Sequence, residues 1–433
     1  MGKTIFFSKL SALSTGLCFV LLSAATVKAQ IISPSAIEVK YSYTTTFEVP
    51  VTNPESADED QANYHAQHMF GIMHSPELMD KYGVESATEG GVGAPRAQMN
   101  IKIIESHAVK NKVVITYSNA GQMILNKKAA KTILKAGVLV LPLPTNPYKI
   151  YKKSCTDSHY TGTGDFWYFY DPFRYGCTEL GKAPLATEVE LKIEPFATKK
   201  LDLTPRLPYL RGDNGNGDLF SIYVIHGFSE GVAVKDDDGR INFNEFDQYM
   251  HEQNFVETRE PSGSTVPLHI FKKQITLDNG KKMNVEIKHM LVETAIESKS
   301  VAFAKFFKQA VEKADVILYG GHSGLGGYLD IPSLEAKSGK FKFDPKKKQI
   351  FYFDSCSSYS YYLETFAAEK TKAKVDIITN GLTSYFETSN AVLVQLMNHL
   401  LTTKTEDTPW SKILGDMENV LDGDSYLVNV GGI

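Results

Sequence analysis

Val316-Ile317-Leu318-Tyr319-Gly320-Gly321-His322-Ser323-Gly324 and Ile350-Phe351-Tyr352-Phe353-Asp354-Ser355-Cys356-Ser357-Ser358 decide the reading of this chain. Each opens on a short, almost wholly apolar run, the pattern of a strand covered on both faces. Each run stops at glycine or small polar residues, and just there carries a chemical group, an imidazole in the first and a thiol in the second. In open α/β sheets reactive side chains gather at the carboxyl ends of strands, and consecutive strands commonly lie side by side. The two stretches therefore predict His322 and Cys356 as neighbours on one sheet lip.

The flanking pattern extends this picture. Strands are expected at 219–225 (ending in His226-Gly227), 267–275, 315–319, 349–353 and 375–379. Helices are expected at 242–253, 288–313, 360–370 and 390–402. This alternation predicts an α/β unit over residues 218–433, with a mostly parallel sheet flanked by helices. Residues 30–205 read as a β-rich unit: β-branched or alternating runs fall at 98–104, 112–117, 137–141 and 185–195, with helical stretches at 60–82 and 127–135. The aromatic stretch Gly164-Asp165-Phe166-Trp167-Tyr168-Phe169-Tyr170-Asp171-Pro172 reads as a strand beside a disulfide rather than a ligand platform. Residues 206–217, with Pro208 and a run of glycine, asparagine and aspartate, read as a linker. A chain of 433 residues is too long for one ordinary core, so two domains are expected.

Residues 1–29 have the form of a secretory signal: Lys3 and Lys9, an apolar stretch over 10–25, and Val27-Lys28-Ala29 as a cleavage site. The expectation is an exported protein, periplasmic or secreted, with no stable membrane insertion after signal removal. Losing residues 1–29 takes away three lysines and no acid, moving the formal charge from −4 to −7. An acidic chain has no electrostatic reason to seek nucleic acid. Export also permits disulfides. Cys155 and Cys177 flank one segment and most simply pair with each other, a closure worth about 3 kcal/mol in the chain-entropy model. Cys356 is then left as an odd thiol, which marks a candidate reactive group.

A free thiol, with pKa near ~8.5, is mostly protonated at neutral pH; an adjacent imidazole activates it and can protonate a leaving amine. The developing oxyanion needs fixed donors, for which the amides of Cys356 and of the Ser323-Gly324 turn are the candidates. Glycines at 320, 321, 324, 326 and 327 let backbone approach a substrate closely.

An apolar strand ending in histidine, followed by one ending in Asp-Ser-Cys, resembles the caspase-like cysteine peptidases (caspases, metacaspases, legumains, gingipains and clostripain). The resemblance covers about residues 215–433. It implies a caspase-like fold there, His322 and Cys356 as catalytic dyad, a protein or peptide substrate and no required cofactor. It also implies that Asp354, two residues before the cysteine, lines the pocket for the residue before the scissile bond and favours Arg or Lys. The chain departs from the family twice. Ser323 stands where a glycine amide usually follows the histidine, and Ser357-Ser358-Tyr359 stands where a glycine often follows the cysteine.

Other readings remain open. Ile225-His226-Gly227-Phe228 looks like the oxyanion strand of an α/β-hydrolase, and Gly321-His322-Ser323-Gly324-Leu325 approaches its nucleophile elbow, with Ser323 as esterase or peptidase nucleophile. Leu325 occupies the last glycine position of that elbow, and His399 falls in a helical pattern rather than a late loop. A catalytically inactive binding protein of the same fold is a third reading. Asp236, Asp238, Asn242 and Glu245 match positions of an EF-hand calcium loop whose first position is Val234; the other reading is an acidic turn with Asn242 capping the next helix. His65, His68 and His74 read as ordinary surface histidines rather than a metal cluster. Lys346-Lys347-Lys348 reads as a solvated turn and, given basic specificity, as a self-cleavage site.

Overall fold

The computed structural model describes residues 31–51, 57–85, 90–150, 155–156, 165–177, 185–196, 204–259, 267–295, 300–370 and 374–431. The expected signal at 1–29 lies outside them. Six strands, β1 (Ala36–Pro50), β2 (Gly93–Pro95), β3 (Ile101–Val109), β4 (Lys112–Asn126), β5 (Val138–Pro144) and β6 (Ala186–Pro195), form one sheet in the order β2-β4-β1-β6-β5, with β3 also on β4. Every pairing in it is antiparallel. β1 supplies the inward row Val39, Tyr41, Tyr43, Phe47 and Val49, alternating with exposed or half-exposed residues as a strand with one buried face does. The stretch expected as one helix at 60–82 is three short ones, Asp58–Gln67, Met69–Met73 and Pro76–Tyr82. Pro76 starts the last of them, where its missing N–H costs nothing, and the Ser75 hydroxyl caps it.

The second sheet contains β7 (Leu219–Gly227), β8 (Val256–Arg259), β9 (Leu268–Thr276), β10 (Lys282–Val292), β11 (Val316–Gly320), β12 (Gln349–Asp354), β13 (Val375–Thr379) and β14 (Asn429–Gly431). Its order is β14-β13-β12-β11-β7-β10-β9-β8. Four pairings are parallel, from β13 through β12, β11 and β7 to β10. Three are antiparallel, one at the β14 edge and two at the β8 edge.

The expected mostly parallel, caspase-like sheet is therefore corrected: the sheet is mixed, and among the described residues most strand pairings of the molecule are antiparallel. The cause is local. Residues 282–292, partly read as the start of a long helix at 288–313, form β10. Met283, Val285 and Ile287 are buried while Lys282, Asn284, Glu286 and Lys288 between them are not, a period of two rather than 3.6. Leu277 to Lys281, through Asp278-Asn279-Gly280 with Gly280 at φ 82°, closes a hairpin onto β9. The helix itself is Val301–Lys313, capped by the Ser300 hydroxyl.

The aromatic stretch near residue 167 is a short 3₁₀ turn, Phe166–Phe169, not a strand, with Phe166, Trp167 and Tyr168 buried. The Cys155–Cys177 disulfide is present, with Cα atoms 4.8 Å apart, as suits an exported protein. The two sheets share one apolar cluster, to which the first half brings Phe70, Ala94, Trp167 and Tyr168 and the second Tyr319, Phe353 and Tyr359. The segment read as a linker is packed: Arg211 is buried, and Asn214 and Asn216 donate to the Asp315 carboxylate. Among the described residues no helix is long and apolar enough to cross a membrane.

Candidate active site

β11 and β12 lie side by side and parallel, with Gly320 opposite Asp354, so the chain leaves both strands on the same lip of the sheet. A cleft opens there, lined by Gly321 and His322 after β11, Asp354 and Cys356 at the end of β12, and Ser384, Tyr385, Phe386 and Ser389 after β13. The structure thus brings His322, Cys356 and Asp354 together. It does not bring Ser323 or Gly324 into the lining.

The imidazole is oriented from behind. His322 Nε2 lies 2.9 Å from the backbone carbonyl of Ser229, in the loop after β7. A carbonyl only accepts, so Nε2 is the donor in this contact, and in the neutral ring the lone pair lies on Nδ1, the tautomer of a base. The ring is half-buried, edge-on to Phe386 at 5.1 Å. Cys356 is half-buried too; its thiol reaches the Ser384 carbonyl at 3.6 Å. Among the described residues it makes no hydrogen bond to His322. Burial pushes the Cys356 thiol up, the Ser384 contacts pull it down, and the Asp354 charge raises it further. The net direction is upward, away from a preformed thiolate.

Asp354 is 3 % exposed, its carboxylate held by Asn380 Nδ2 at 2.7 Å and by the Ser389 hydroxyl. Burial raises its pKa to about 6, against the pull of those two donors. Ser357, directly after the cysteine, takes φ 50°, a left-handed conformation glycine adopts more cheaply. The segment is pinned regardless: Ser357 N donates to Leu382 O, and the Ser358 hydroxyl donates to Phe353 O.

Ser323 is buried, and its carbonyl accepts from the Tyr362 hydroxyl and from the amides of Gly326 and Tyr328. The segment after β11 runs through turns to Leu329 before the helix Ile331–Ser338, so the strand–turn–helix of a nucleophile elbow is not formed. Gly324 sits at φ 54° with a would-be Cβ 2.0 Å from the Tyr328 ring, so the turn requires glycine there. Among the described residues, the amides of Ser323, Gly324 and Cys356 donate to no backbone carbonyl. His226 and Gly227 of the rival oxyanion motif lie at the end of β7 outside the cleft lining, with His226 buried against His289 at 2.8 Å. His399 pairs with Asp416.

The four calcium candidates are not gathered around one point. The helix Asp238–Glu252 begins inside the supposed loop, placing Asp238, Asn242 and Glu245 on helical turns. The Asn242 side chain donates to Phe386 O, Glu245 accepts from Asn390, and Asp236 is exposed. The cap is Asp237, not Asn242. Among the described residues no group of three or more potential ligands could hold a metal ion.

The remaining sequence readings change as well. His65 and His68 are buried rather than on the surface, and His74 is half-buried. Lys347 and Lys348 are buried against Asp315 and Asp376, and only Lys346 is exposed, so the lysine run is not a solvated turn. Sequence reasoning missed Ser229, Ser384, Tyr385, Phe386 and Ser389. The strand-end rule, applied to β13 as it was to β11 and β12, points to the 384–389 group; nothing in the sequence singles out the Ser229 carbonyl. Comparison of the chain with models of protein families found no match, and comparison with curated proteins found none.

Proposed function

We propose that the protein is an exported cysteine endopeptidase, periplasmic or secreted, working through His322 and Cys356. The observation that carries this reading is the shared cleft: a free thiol and an imidazole whose Nε2 is tied to a carbonyl, leaving Nδ1 as base. His322 takes the thiol proton as the sulfur attacks the scissile carbonyl carbon. The tetrahedral oxyanion is stabilised by backbone amides, Cys356 first among them. Collapse breaks the C–N bond, and the imidazolium returns its proton to the leaving amine. Water, deprotonated by His322, then attacks the thioester; the acid leaves and the thiol is restored.

Asp354 at the edge of the cysteine favours Arg or Lys before the scissile bond, and its charge is available above about pH 6. Its resemblance to caspase-like peptidases supports the dyad through the local motifs, not through the sheet. A second reading, a catalytically inactive peptide-binding protein, is favoured by the Cys356 thiol contacting the Ser384 carbonyl rather than His322. Arg- and Lys-containing fluorogenic peptides separate the two, together with an Arg-directed thiol-reactive probe. Under the peptidase reading Cys356→Ala and His322→Ala abolish turnover and the adduct maps to Cys356. An adduct on Ser323, or no adduct at all, overturns the dyad.

A further inference from the structure

The His322 carbonyl partner belongs to a loop with its own anchor. Between β7 and the helix Asp238–Glu252, the chain from Phe228 to Asp236 turns back so that one carboxylate, Asp237, gathers it. Asp237 Oδ2 accepts from Glu230 N at 2.7 Å, Gly231 N at 3.0 Å and the Ser229 hydroxyl at 3.1 Å. Oδ1 accepts from Ser229 N and from Arg240 N, both at 3.1 Å. The last of these is the helix N-cap; the others all hold the loop.

Asp237 is 1 % exposed. Burial alone would raise its pKa, but the converging amides of Glu230, Gly231, Ser229 and Arg240 hold it below the usual carboxylate range. A second brace lies beneath it. A Cβ on Gly239 would sit 2.0 Å from Gly227 O and 2.9 Å from Phe228 Cα, so the first helical turn rests directly on the end of β7. Arg240 closes the far side, donating to Val232 O and covering the Phe228 ring.

We propose that Asp237 is a positioning residue for His322: by fixing the amides on either side of Ser229 it aims the Ser229 carbonyl at Nε2 and so sets the tautomer and direction of the imidazole. This rests on the dyad reading. It assigns a role to the acidic segment that otherwise resembles a calcium loop. The carboxylate is satisfied by five protein donors and acts as an anion cradled by amides, rather than as a cation ligand.

Two variants test it in the full chain. Asp237→Asn keeps the cap through Oδ1 but puts an NH₂ donor where three loop donors converge. Asp237→Ser keeps a capping oxygen too short to collect the loop. Iodoacetamide alkylation of Cys356 is followed from pH 5 to 9 with the adduct mapped by mass, and the His322 Nε2–H proton is followed by NMR on ¹⁵N-histidine-labelled protein.

Both variants are expected to retain the fold, lose the slowly exchanging Nε2–H signal, and alkylate about tenfold more slowly at pH 7, as His322→Ala does. A wild-type signal and alkylation profile in either folded variant overturns the positioning role. If His322→Ala leaves alkylation unchanged, the dyad reading has failed, and the Nε2–H signal still decides whether Asp237 holds the ring.

Discussion

Replacing Asp354 by asparagine should make the protein more stable at neutral pH and, under the proposed peptidase reading, weaken a preference for basic substrates. The carboxylate is buried and its pKa is raised from 3.8 to about 6, burial being the main cause, with the Ser389 and Asn380 donors restraining the shift. A native group that holds its proton more tightly than the unfolded chain makes stability fall as pH rises. The fall begins near pH 3.8, is complete above about pH 6, and amounts to at most about 3 kcal/mol at 1.36 kcal/mol per unit. Asparagine is isosteric, and its oxygen can still accept from Asn380 while its NH₂ donates to the Ser389 hydroxyl. Urea unfolding of both proteins at pH 4, 5, 6 and 7 reads the gap directly. It should be small at pH 4 and widen to a variant advantage of order 2–3 kcal/mol at pH 7. In parallel the kcat/KM preference for Arg over a neutral residue should collapse. A gap that stays flat with pH, or widens toward acid, refutes the buried-charge argument. An intact Arg preference refutes the specificity role.

Three further perturbations follow from the same structure. His65, bonded to Tyr117 and to Pro144 O, has its pKa lowered to about 3, by burial first and the neighbouring His68 second, so its contribution is complete above pH 6.5 and is lost as pH falls. His65→Gln should therefore make the acid limb of a urea-midpoint profile shallower by about 1.4 kcal/mol per unit well below pH 6.5. Arg96→Ala leaves Glu38 buried without its 2.8 Å partner and removes a donor to Tyr359 O; a loss of about 3–5 kcal/mol in urea unfolding is expected, and a loss below about 1 would refute the pairing. Gly324→Ala places a Cβ into the Tyr328 ring at a positive φ, and should cost about 1–3 kcal/mol and lower turnover with His322 and Cys356 both intact.

The strands carrying His322 and Cys356 were readable because each is a short, fully buried run with an abrupt polar end, a signal that depends on no distant partner. The same holds for β13 and for the helix Lys127–Ala136. β10 was misread because its upper part, His289 to Val292, is buried on both faces and breaks the alternation that Lys282 to Lys288 displays. β1 went unread although Tyr41-Ser42-Tyr43-Thr44-Thr45-Thr46-Phe47 has the aromatic and β-branched composition of a strand. Buried Lys347 and Lys348 could not be foreseen, since their carboxylates lie 32 and 28 residues away, on segments that only the folded sheet brings near. The Ser229 carbonyl is a backbone group, and composition carries no trace of where a backbone group points.

The cleft draws only on the parallel stretch of a mixed sheet, for a geometric reason. Four consecutive parallel strands, β7, β11, β12 and β13, point their carboxyl ends to one lip, and the loops after them supply Ser229, His322, Cys356 and Ser384 in turn. β9 and β14 run the opposite way, so their carboxyl ends lie at the other lip; β10 and β8 point the same way as β7 but contribute no residue to the lining. The N-terminal half contributes differently: β2, the residues just after it and the 166–169 turn grip the chain just past Cys356. Tyr168 OH meets Ser357 Oγ at 3.3 Å, Ala97 N donates to Ser360 O at 3.1 Å, the Ser360 hydroxyl donates to Pro95 O at 2.6 Å, and Arg96 donates to Tyr359 O at 3.0 Å. A strained Ser357 persists only where its surroundings over-determine it, and four contacts across the shared core meet that condition. The N-terminal half therefore bears on the placement of Cys356 without lining the cleft: loosening its grip should release the left-handed turn that follows Cys356.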